Sequence, residues 1–376
     1  MRRTLLVTND FPPVVGGIQR YLADFVDRLP AGDIEVLAHT PPGGATEHDA
    51  SSAYPIHRHD ARVLLPTTGV ARHMERLIRE RGIETVWFGA AAPLGLLGTA
   101  AKRAGATRVV ATTHGHEVGW AIAPPTRTVL RRIFTSADVV TYISEYTKDR
   151  LAPLIPAGTA LVNLPSGIDT DRFRPDDAAR RTLRSRYGVA DAPTVVCVSR
   201  LVPRKGQDVL IEAWPDVVAQ VPGARLVIVG WGSYAKRLAE LRRASPVRGL
   251  ITLTGKVAEE ELAGHVALGD VFAMPCRTRH LGADVEGLGI VFLEAAAVGL
   301  PVIAGDSGGA PETVVDGVTG TVVDGRSHAE VTAAVVDLLR DPARRAAMGA
   351  AGREHMEANW TWPHLVERLR EAIDGR

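Results

Sequence analysis

The sequence predicts an α/β protein made of two doubly wound domains, each a parallel sheet covered by helices. Short apolar runs alternate with helical patterns along all 376 residues, which is typical of parallel strands joined by crossover helices. One opening, a buried strand followed by a loop and an amphipathic helix, occurs twice, from Thr4 and from Thr194. A chain of this length with 45% hydrophobic residues is also too long to form a single hydrophobic core, so two domains are expected.

The elements follow in order from the apolar periodicity. In the first copy the pattern predicts a strand at 4–9, a Pro/Gly loop at 11–17 and a helix at 18–29. In the second it predicts a strand at 194–199, the loop LVPRKG and a helix that contains Val209 to Trp214. Further strands are expected at 34–38, 85–88, 108–113 and 139–143, and then at 225–229, 251–254, 271–275, 301–304 and 321–323.

The domain boundary is predicted in a stretch that proline and glycine interrupt. Pro165, Gly167 and Pro175 break any regular element there. We therefore expect an N-terminal domain at 1–165, a linker at 166–176, a C-terminal domain at 177–358 and a last helix at 359–376 that can cross to the N-terminal domain. Ligands of open parallel sheets lie beyond the carboxyl ends of the strands, so a cleft between two facing domains is the expected site.

Composition excludes several classes of protein. The 44 basic and 43 acidic side chains nearly cancel, which argues against a nucleic-acid binder. Cys197 and Cys276 lie in separate strand-like runs, so no disulfide framework or cysteine zinc site is expected. The apolar run near the first residue is too short for an export signal, and the longest uncharged stretch is too short to span a bilayer. These patterns predict a cytoplasmic protein.

The strongest local signal is the segment from Glu286 to Ala304, EGLGIVFLEAAAVGLPVIA. Glu286 and Glu294 are eight residues apart, which on a helix corresponds to roughly 12 Å. Each carboxylate could hold one sugar of a nucleotide sugar, and the free amides of a glycine-rich helix start could hold the phosphates between them. The alternative is that two carboxylates merely complement the dipole of the helix.

Two loops after strands add weaker signals. Arg200 and Lys205 flank the loop that follows the strand at 194–199, where two cations could neutralise a departing diphosphate. Gly16 and Gly17 follow the first strand and let the backbone approach a ligand. Their spacing is not that of a dinucleotide-binding loop, which argues against a nicotinamide cofactor. A solvated basic turn and an ordinary loop are the alternatives.

Metal binding is not expected. His114 and His116 follow the strand at 108–113 without a third ligand at a characteristic spacing, so a polar side chain facing the ligand is preferred for His114. The D-x-D pattern at 169–171 lies in the expected linker and is interpreted as capping chemistry. Asp284 and Glu286 have the same spacing, but the glycine-rich helix start offers a metal-free alternative.

One segment bears on a membrane partner. Residues 127–134, RTVLRRIF, set four apolar side chains against three arginines. This pattern suits a helix that lies on an anionic membrane surface. The preferred interpretation is a surface helix whose apolar side packs on the first sheet.

Over essentially its whole length the sequence resembles the retaining glycosyltransferases of the GT-B fold that use nucleotide-diphospho-sugars. The paired openings, the two glycines, the basic loop and the E-x7-E segment carry this resemblance. Within that group, VTNDFPPVVGGIQRYL, THGHEVGW, SRLVPRKGQD and DVEGLGIVFLEA resemble mannosyltransferases that use GDP-mannose and act on phosphatidyl-myo-inositol monomannoside. The loop RTRHLGADVEG departs from the family pattern.

The resemblance implies a role for each matching residue. Arg200 and Lys205 would hold the diphosphate, Glu294 the ribose, Glu286 the mannose, and His114 the sugar near its reacting carbon. The amides of Gly287, Leu288, Gly289 and Ile290 would contact sugar and phosphate, and Gly16 and Gly17 would approach the phosphates. Gln19 and Arg20 would meet the acceptor, and Lys256 and Val257 the base.

The resemblance also implies a reaction. GDP-mannose would be the donor, a mannosylated phosphatidylinositol lipid the acceptor, and no cofactor or metal would be needed. No well-placed carboxylate nucleophile is evident, so the acceptor is expected to attack from the same face from which the diphosphate departs. Peripheral contact with the inner face of the plasma membrane is also expected. The alternatives are another GDP- or UDP-sugar transferase that acts on a lipid or glycan, a sugar-nucleotide epimerase, and a non-catalytic nucleotide-sugar binder.

Overall fold

The computed structural model describes residues 1–375, and the chain divides into two units. Unit 1 contains residues 1–166 and 363–375, and unit 2 contains residues 167–362. Each unit has one parallel sheet with helices between successive strands. The predicted α/β class and the two doubly wound domains are therefore confirmed.

Unit 1 contains a seven-stranded sheet. Its elements are β1 (Thr4–Thr8), α1 (Gly17–Val26), β2 (Ile34–His39), α2 (Thr46–Ser51), β3 (Ile56–His59), α3 (Thr68–Arg81), β4 (Thr85–Phe88), α4 (Gly98–Ala104), β5 (Arg108–Thr112), α5 (Glu117–Ile122), α6 (Pro124–Ser136), β6 (Val139–Tyr142), α7 (Glu145–Leu151) and β7 (Ala160–Asn163). The strand order is β3-β2-β1-β4-β5-β6-β7, and all pairs are parallel. Two edge strands, β3 and β7, were not predicted, because IHRH is polar and the apolar part of ALVN is only three residues long.

Unit 2 contains a six-stranded sheet. Its elements are α8 (Asp177–Arg186), β8 (Thr194–Val198), α9 (Gln207–Gln220), β9 (Arg225–Val229), α10 (Ala235–Ala244), β10 (Ile251–Gly255), α11 (Leu262–Ala267), β11 (Val271–Met274), α12 (Ile290–Ala297), β12 (Val302–Gly305), β13 (Gly320–Val323), α13 (His328–Arg340) and α14 (Pro342–Asn359). The order β10-β9-β8-β11-β12-β13 repeats that of the first six strands of unit 1. The chain reverses its direction of travel across the sheet between β8 and β11, and such a switch point is where open α/β sheets bind ligands.

The segment predicted as a linker belongs to unit 2 from Gly167 onward. Ile168 donates its backbone N–H to the carbonyl of Trp360 at 2.8 Å, and Phe173 is completely buried. Asp169 accepts hydrogen bonds from the backbone N–H groups of Asp171 and Arg172 at 3.1 and 3.0 Å. The D-x-D pattern therefore closes a turn, as capping chemistry requires.

The last helix, α15 (Trp362–Asp374), returns the chain to unit 1. Leu365, Leu369, Ala372 and Ile373 recur at helical spacing and are buried. Its end is tied to the amino-terminal edge of the sheet, because Arg108 donates to the carbonyl of Ala372 and Thr85 to that of Ile373. Unit 1 is therefore built from two separate stretches of chain.

Helix α6 contains the segment 127–134. The sequence allowed two interpretations of this segment, a helix on an anionic membrane surface and a surface helix whose apolar side packs on the first sheet. Leu130, Ile133 and Phe134 are completely buried in the core of unit 1, while Arg127 and Arg131 are exposed. The apolar side of this helix packs into the core of unit 1 and is not available to a membrane surface. Within residues 1–375, no helix has the length and apolar content needed to span a bilayer.

Candidate functional site

A buried ion pair joins the loops that follow β8 and β11. Lys205 Nζ lies 2.7 Å from Glu286 Oε2, and the two residues are 8% and 6% exposed. The backbone connects the same loops, because the N–H of Arg277 donates to the carbonyl of Arg204 at 2.8 Å. The sequence predicted that both loops would lie at the carboxyl edge of the sheet, but it did not predict this pairing.

Glu286 is held as a carboxylate by the cations around it. Burial alone would raise its pKa, but Lys205, Arg204 and Arg200 outweigh burial and hold the pKa below its ordinary value. Its backbone is fixed as well: its N–H donates to Ser307 Oγ at 3.2 Å, and its carbonyl accepts from Gly309 at 3.0 Å. The side chain is thus a fixed negative acceptor, suited to sugar hydroxyls.

Glycines allow the loops to pack this closely. Gly206 has φ +75°, and a Cβ there would lie 1.9 Å from the carbonyl oxygen of Pro275. Gly308 has φ +59°, and a Cβ there would lie 2.0 Å from the carbonyl oxygen of Glu286. Any side chain at either position would separate segments that hold the Lys205–Glu286 pair.

The two arginines of the β8 loop differ in their surroundings. Arg204 lies 3.6 Å from both Glu286 and Asp284. Arg200 is exposed, and among the described residues it has no ion-pair partner. Its backbone is anchored by Gln207, which donates from Nε2 to the Arg200 carbonyl at 3.1 Å and to Ser199 Oγ at 2.8 Å. Arg200 therefore carries a positive charge that can turn towards a ligand.

Helix α12 begins later than the sequence suggested. It starts at Ile290, and Gly289 precedes it with φ +92°, so Glu286 lies in the loop and the helical distance of 12 Å between Glu286 and Glu294 does not apply. Glu294 lies on the helix and is 2% exposed. Across residues 1–375, no hydrogen bond is donated by the backbone N–H groups of 287–290. Such a helix start favours an anion.

A second, partly buried cluster, missed at the sequence level, holds the β11 loop. Arg277 Nη2 lies 2.6 Å from Asp208 Oδ2, and Tyr234 donates its hydroxyl to the same oxygen at 2.9 Å. Asp208 lies in the first turn of α9, next to the site loop. Its place in SRLVPRKGQD was a signal, because a carboxylate that starts a helix beside a basic loop finds cations nearby.

In unit 1, His114 lies at the carboxyl end of β5. Its Nε2 is 2.6 Å from the carbonyl oxygen of Gly89, so this nitrogen carries the proton and Nδ1 has the free lone pair when the ring is neutral. The backbone N–H of His114 donates to Glu117 Oε2 at 2.9 Å. Burial lowers the pKa of His114, against the opposing charge of Glu117. The ring is therefore a neutral group at pH 7.

The remaining predicted residues lie at or in helix α1 of unit 1 and just after β10 of unit 2. Gly16 and Gly17 form the start of α1, whose first turn lacks a side-chain cap. Gln19 donates from Nε2 to Asp10 Oδ1 at 2.8 Å, and Arg20 pairs with Asp24 at 3.6 Å. Lys256 and Val257 follow β10, with Lys256 exposed and Val257 half-buried.

We expect the free energy of unfolding to fall as the pH drops from 6.5 to 5.5, because the unfolded chain binds a proton at His114 that the folded chain resists. The stabilising contribution of neutral His114 is fully present above pH 6.5 and is lost as the pH falls towards the lowered pKa of His114 in the folded chain. The variant His114→Gln should show a shallower decline in urea titrations at both ends of this range. Equal declines for the two proteins would contradict the lowered pKa.

Residues 15–172 match the family Glycosyltransferase Family 4, and residues 180–355 match Glycosyl transferases group 1. The chain is 55% identical to a GDP-mannose-dependent alpha-(1-6)-phosphatidylinositol monomannoside mannosyltransferase of Mycolicibacterium smegmatis, over 99% of this chain and 98% of that protein. The chain belongs to this family of mannosyltransferases. A Corynebacterium glutamicum member that acts on the monoacylated lipid is 49% identical over 100% of this chain and 98% of that protein.

Solved structures support the fold of the mannosyltransferase family. HepE of Anabaena, crystallised with UDP, superposes with a TM-score of 0.84 at 19% identity over the full length of both chains. Sucrose-phosphate synthase of Thermosynechococcus elongatus gives a TM-score of 0.81 at 21% identity, over 100% of this chain and 99% of that one. The predicted GT-B class, with two Rossmann-like units, is confirmed.

Proposed function

We propose that this glycosyltransferase moves mannose from GDP-mannose to phosphatidyl-myo-inositol monomannoside, with retention at the sugar carbon. One observation carries the proposal: the Lys205–Glu286 pair lies in loops that flank the switch point of unit 2, with the exposed Arg200 in the same β8 loop. Fixed cations suit a diphosphate, and a fixed carboxylate suits sugar hydroxyls. The identity of 55% to family members with this activity in their names supports the choice of substrates.

Each residue then has a task in binding. Arg200, Lys205 and the amides of 287–290 bind the diphosphate, Glu286 accepts from the mannose, and Glu294 from the ribose. Lys205 can donate hydrogen bonds to both the diphosphate and the mannose. Its ammonium has three N–H donors, and the Glu286 carboxylate occupies the space near only one of them. Gly16 and Gly17 contribute the start of α1 to the phosphates, and Gln19 and Arg20 contact the acceptor.

We propose that the acceptor hydroxyl attacks the mannose carbon from the same face from which GDP departs. The bond between the mannose carbon and the phosphate oxygen breaks, and the acceptor oxygen forms its new bond on the same face. The acceptor hydroxyl gives its proton to the departing phosphate oxygen, and GDP leaves. His114 remains neutral beside the sugar and therefore adds no charge that would compete with Lys205 and Arg200 for the phosphates.

We propose that the reaction needs no metal ion, because Lys205, Arg200 and the start of α12 supply positive charge where the phosphates would lie. Turnover measured after exhaustive treatment with EDTA should equal turnover in added magnesium. The control is addition of magnesium to the chelated enzyme, which should give no increase. A loss of activity that magnesium restores would contradict this expectation.

The function is tested by incubation with labelled GDP-mannose and phosphatidyl-myo-inositol monomannoside. The expected product is a dimannosylated lipid with the new linkage in the α configuration. Labelled UDP-glucose replaces the donor in a second reaction, and the lipid is left out of a third. Transfer from UDP-glucose at equal efficiency would indicate a different donor, and an epimerised sugar nucleotide in the third would indicate an epimerase.

We further propose that the protein binds peripherally to the anionic inner surface of the plasma membrane, where a phosphatidylinositol acceptor would lie. Exposed apolar side chains in unit 1 support this: Val15, Val63 and Ile122 lie after β1, β3 and β5, and each is more than half exposed. Co-sedimentation with vesicles that contain phosphatidylinositol should exceed that with pure phosphatidylcholine and should decrease with salt. Equal binding to both would overturn the anionic preference.

A further inference from the structure

One carboxylate in unit 1 is buried with too few hydrogen-bond donors. Glu117 is the first residue of α5, and its side chain is completely buried. Its Oε2 accepts the backbone N–H of His114 at 2.9 Å, but its Oε1 receives no hydrogen bond from residues 1–375. A buried carboxylate oxygen without a donor costs free energy and is rare in native structures. The second oxygen of Glu117 therefore needs a partner that the chain alone does not fully supply.

The imidazole of His116 lies beside that oxygen. Its Nε2 is 3.3 Å from Glu117 Oε1, but the two atoms are too poorly aligned for a hydrogen bond. The His116 side chain is 43% exposed, so it has room to rotate, whereas Glu117 is enclosed. Rotation of the ring would turn the Nε2–H towards Oε1 and leave a free lone pair on Nδ1. Within the described part of the chain, no hydrogen bond reaches this Nδ1.

The backbone sets His116 next to His114. Gly115 separates the two histidines and has φ +89°, a left-handed conformation that glycine adopts readily. The two imidazole rings are nearly parallel, with 10° between their planes and 6.2 Å between their centroids. The His114 ring is fixed by the contact of its Nε2 with the carbonyl oxygen of Gly89. His116 is therefore a close neighbour of the residue that we place beside the donor mannose.

An acceptor must lie in the same neighbourhood as the donor sugar. Its attacking oxygen approaches the sugar carbon to about 3–3.5 Å before reaction. A side chain 6.2 Å from the His114 ring is thus within reach of the acceptor head group. Helix α5 leads from His116 to Ile122, which is more than half exposed and lies roughly 9 Å further along the helix. A polar group and an apolar group follow one another here, as they do in a glycolipid.

We propose that His116 binds a hydroxyl of the acceptor head group through Nδ1, and that Glu117 is the positioning residue that orients its ring. The inference rests on the proposed function and adds an acceptor contact to those of Gln19 and Arg20. The hydroxyl donates to Nδ1, the Nε2–H donates to Glu117 Oε1, and each bond strengthens the other. The attacking hydroxyl gives its proton to the departing phosphate oxygen, so His116 meets a different hydroxyl that does not react.

Steady-state kinetics with phosphatidyl-myo-inositol monomannoside would test the contact of His116. His116→Ala should raise the KM for the lipid by about 5- to 50-fold, while the KM for GDP-mannose stays within about two-fold of wild type. His116→Asn should recover most of this loss, because its Oδ1 lies where Nδ1 lies, and His116→Gln should not. His364→Ala is the matched control, since His364 is an exposed histidine of unit 1, and it should leave both KM values unchanged.

The role of Glu117 is tested with Glu117→Gln. The amide oxygen of this variant can still accept the N–H of His114, but its NH2 group cannot accept from His116. The single substitution should raise the KM for the lipid by about 3- to 10-fold. Added to His116→Ala it should raise the KM no further, because Glu117 acts through His116. Additive losses would overturn the positioning role of Glu117.

The inference and the proposed function fail in different ways. Urea titrations and GDP titration calorimetry would establish that each variant is folded and binds GDP as wild type does. An unchanged KM for the lipid in His116→Ala, with wild type that transfers mannose, would overturn the inference alone. Wild type that transfers no mannose to the lipid would overturn the proposed function itself.

Discussion

Replacing Lys205 with alanine should lower kcat/KM for mannose transfer by about 10²- to 10³-fold, the loss typical when a group that stabilises developing charge is removed. Two effects act together. The departing diphosphate loses a buried cation, and Glu286 loses the partner 2.7 Å from its carboxylate. Because burial then acts against a weaker set of cations, the pKa of Glu286 should rise.

Steady-state rates with saturating lipid acceptor would measure the effect of Lys205→Ala. Lys236→Ala is the matched control, because Lys236 lies in the same unit on an exposed face of α10. A urea titration of each variant would confirm that both remain folded. A near-normal kcat/KM for Lys205→Ala would remove Lys205 from the reaction and leave it as a structural partner of Glu286.

The second large effect is expected for Gly206→Ala, which should lower the free energy of unfolding by about 3 kcal/mol or more. The left-handed backbone disfavours alanine, and the added Cβ would meet the carbonyl oxygen of Pro275 at 1.9 Å. Backbone cannot give way as a flexible side chain can. We expect the β8 and β11 loops to separate, so activity should fall together with stability.

Gly188→Ala separates the two causes. Gly188 lies in the same unit with φ +63°, but a Cβ there would have no atom within 4 Å. This control should therefore cost only the conformational penalty, about 1–2 kcal/mol. Equilibrium unfolding in urea would measure both variants, and equal losses for the two would show that the close approach at Pro275 is absent.

The strands of both sheets could be predicted because their apolar runs are nearly continuous. The strands predicted at 4–9 and 194–199 are observed as β1 and β8. The edge strands β3 and β7 were missed because each is only four residues long, IHRH is polar and ALVN has an apolar run of only three residues. The apolar periodicity also predicted that Glu286 lies at the helix start. It could not reveal that Gly289 has a left-handed backbone, after which α12 begins at Ile290.

The site was predictable as a set of residues but not as a set of contacts. Arg200 and Lys205 were assigned to one loop and to the diphosphate, whereas Glu286 was assigned to a different segment and to the mannose. Their pairing depends on which strands are neighbours, and β8 adjoins β11 only because the chain reverses its direction across the sheet there. The cluster of Asp208, Arg277 and Tyr234 depends on the same neighbourhood, so linear spacing alone could not reveal it.

Helix α15 has a consequence for the order of events during synthesis. Residues 1–166 of unit 1 are synthesised before unit 2, yet Leu369 and Ile373, which complete the core of unit 1, are synthesised after unit 2. Unit 2 is one continuous stretch and can finish folding before its predecessor does. Until α15 has been synthesised, the apolar surface of unit 1 that this helix covers stays exposed. Chaperones and proteases have their best access to the chain during that interval.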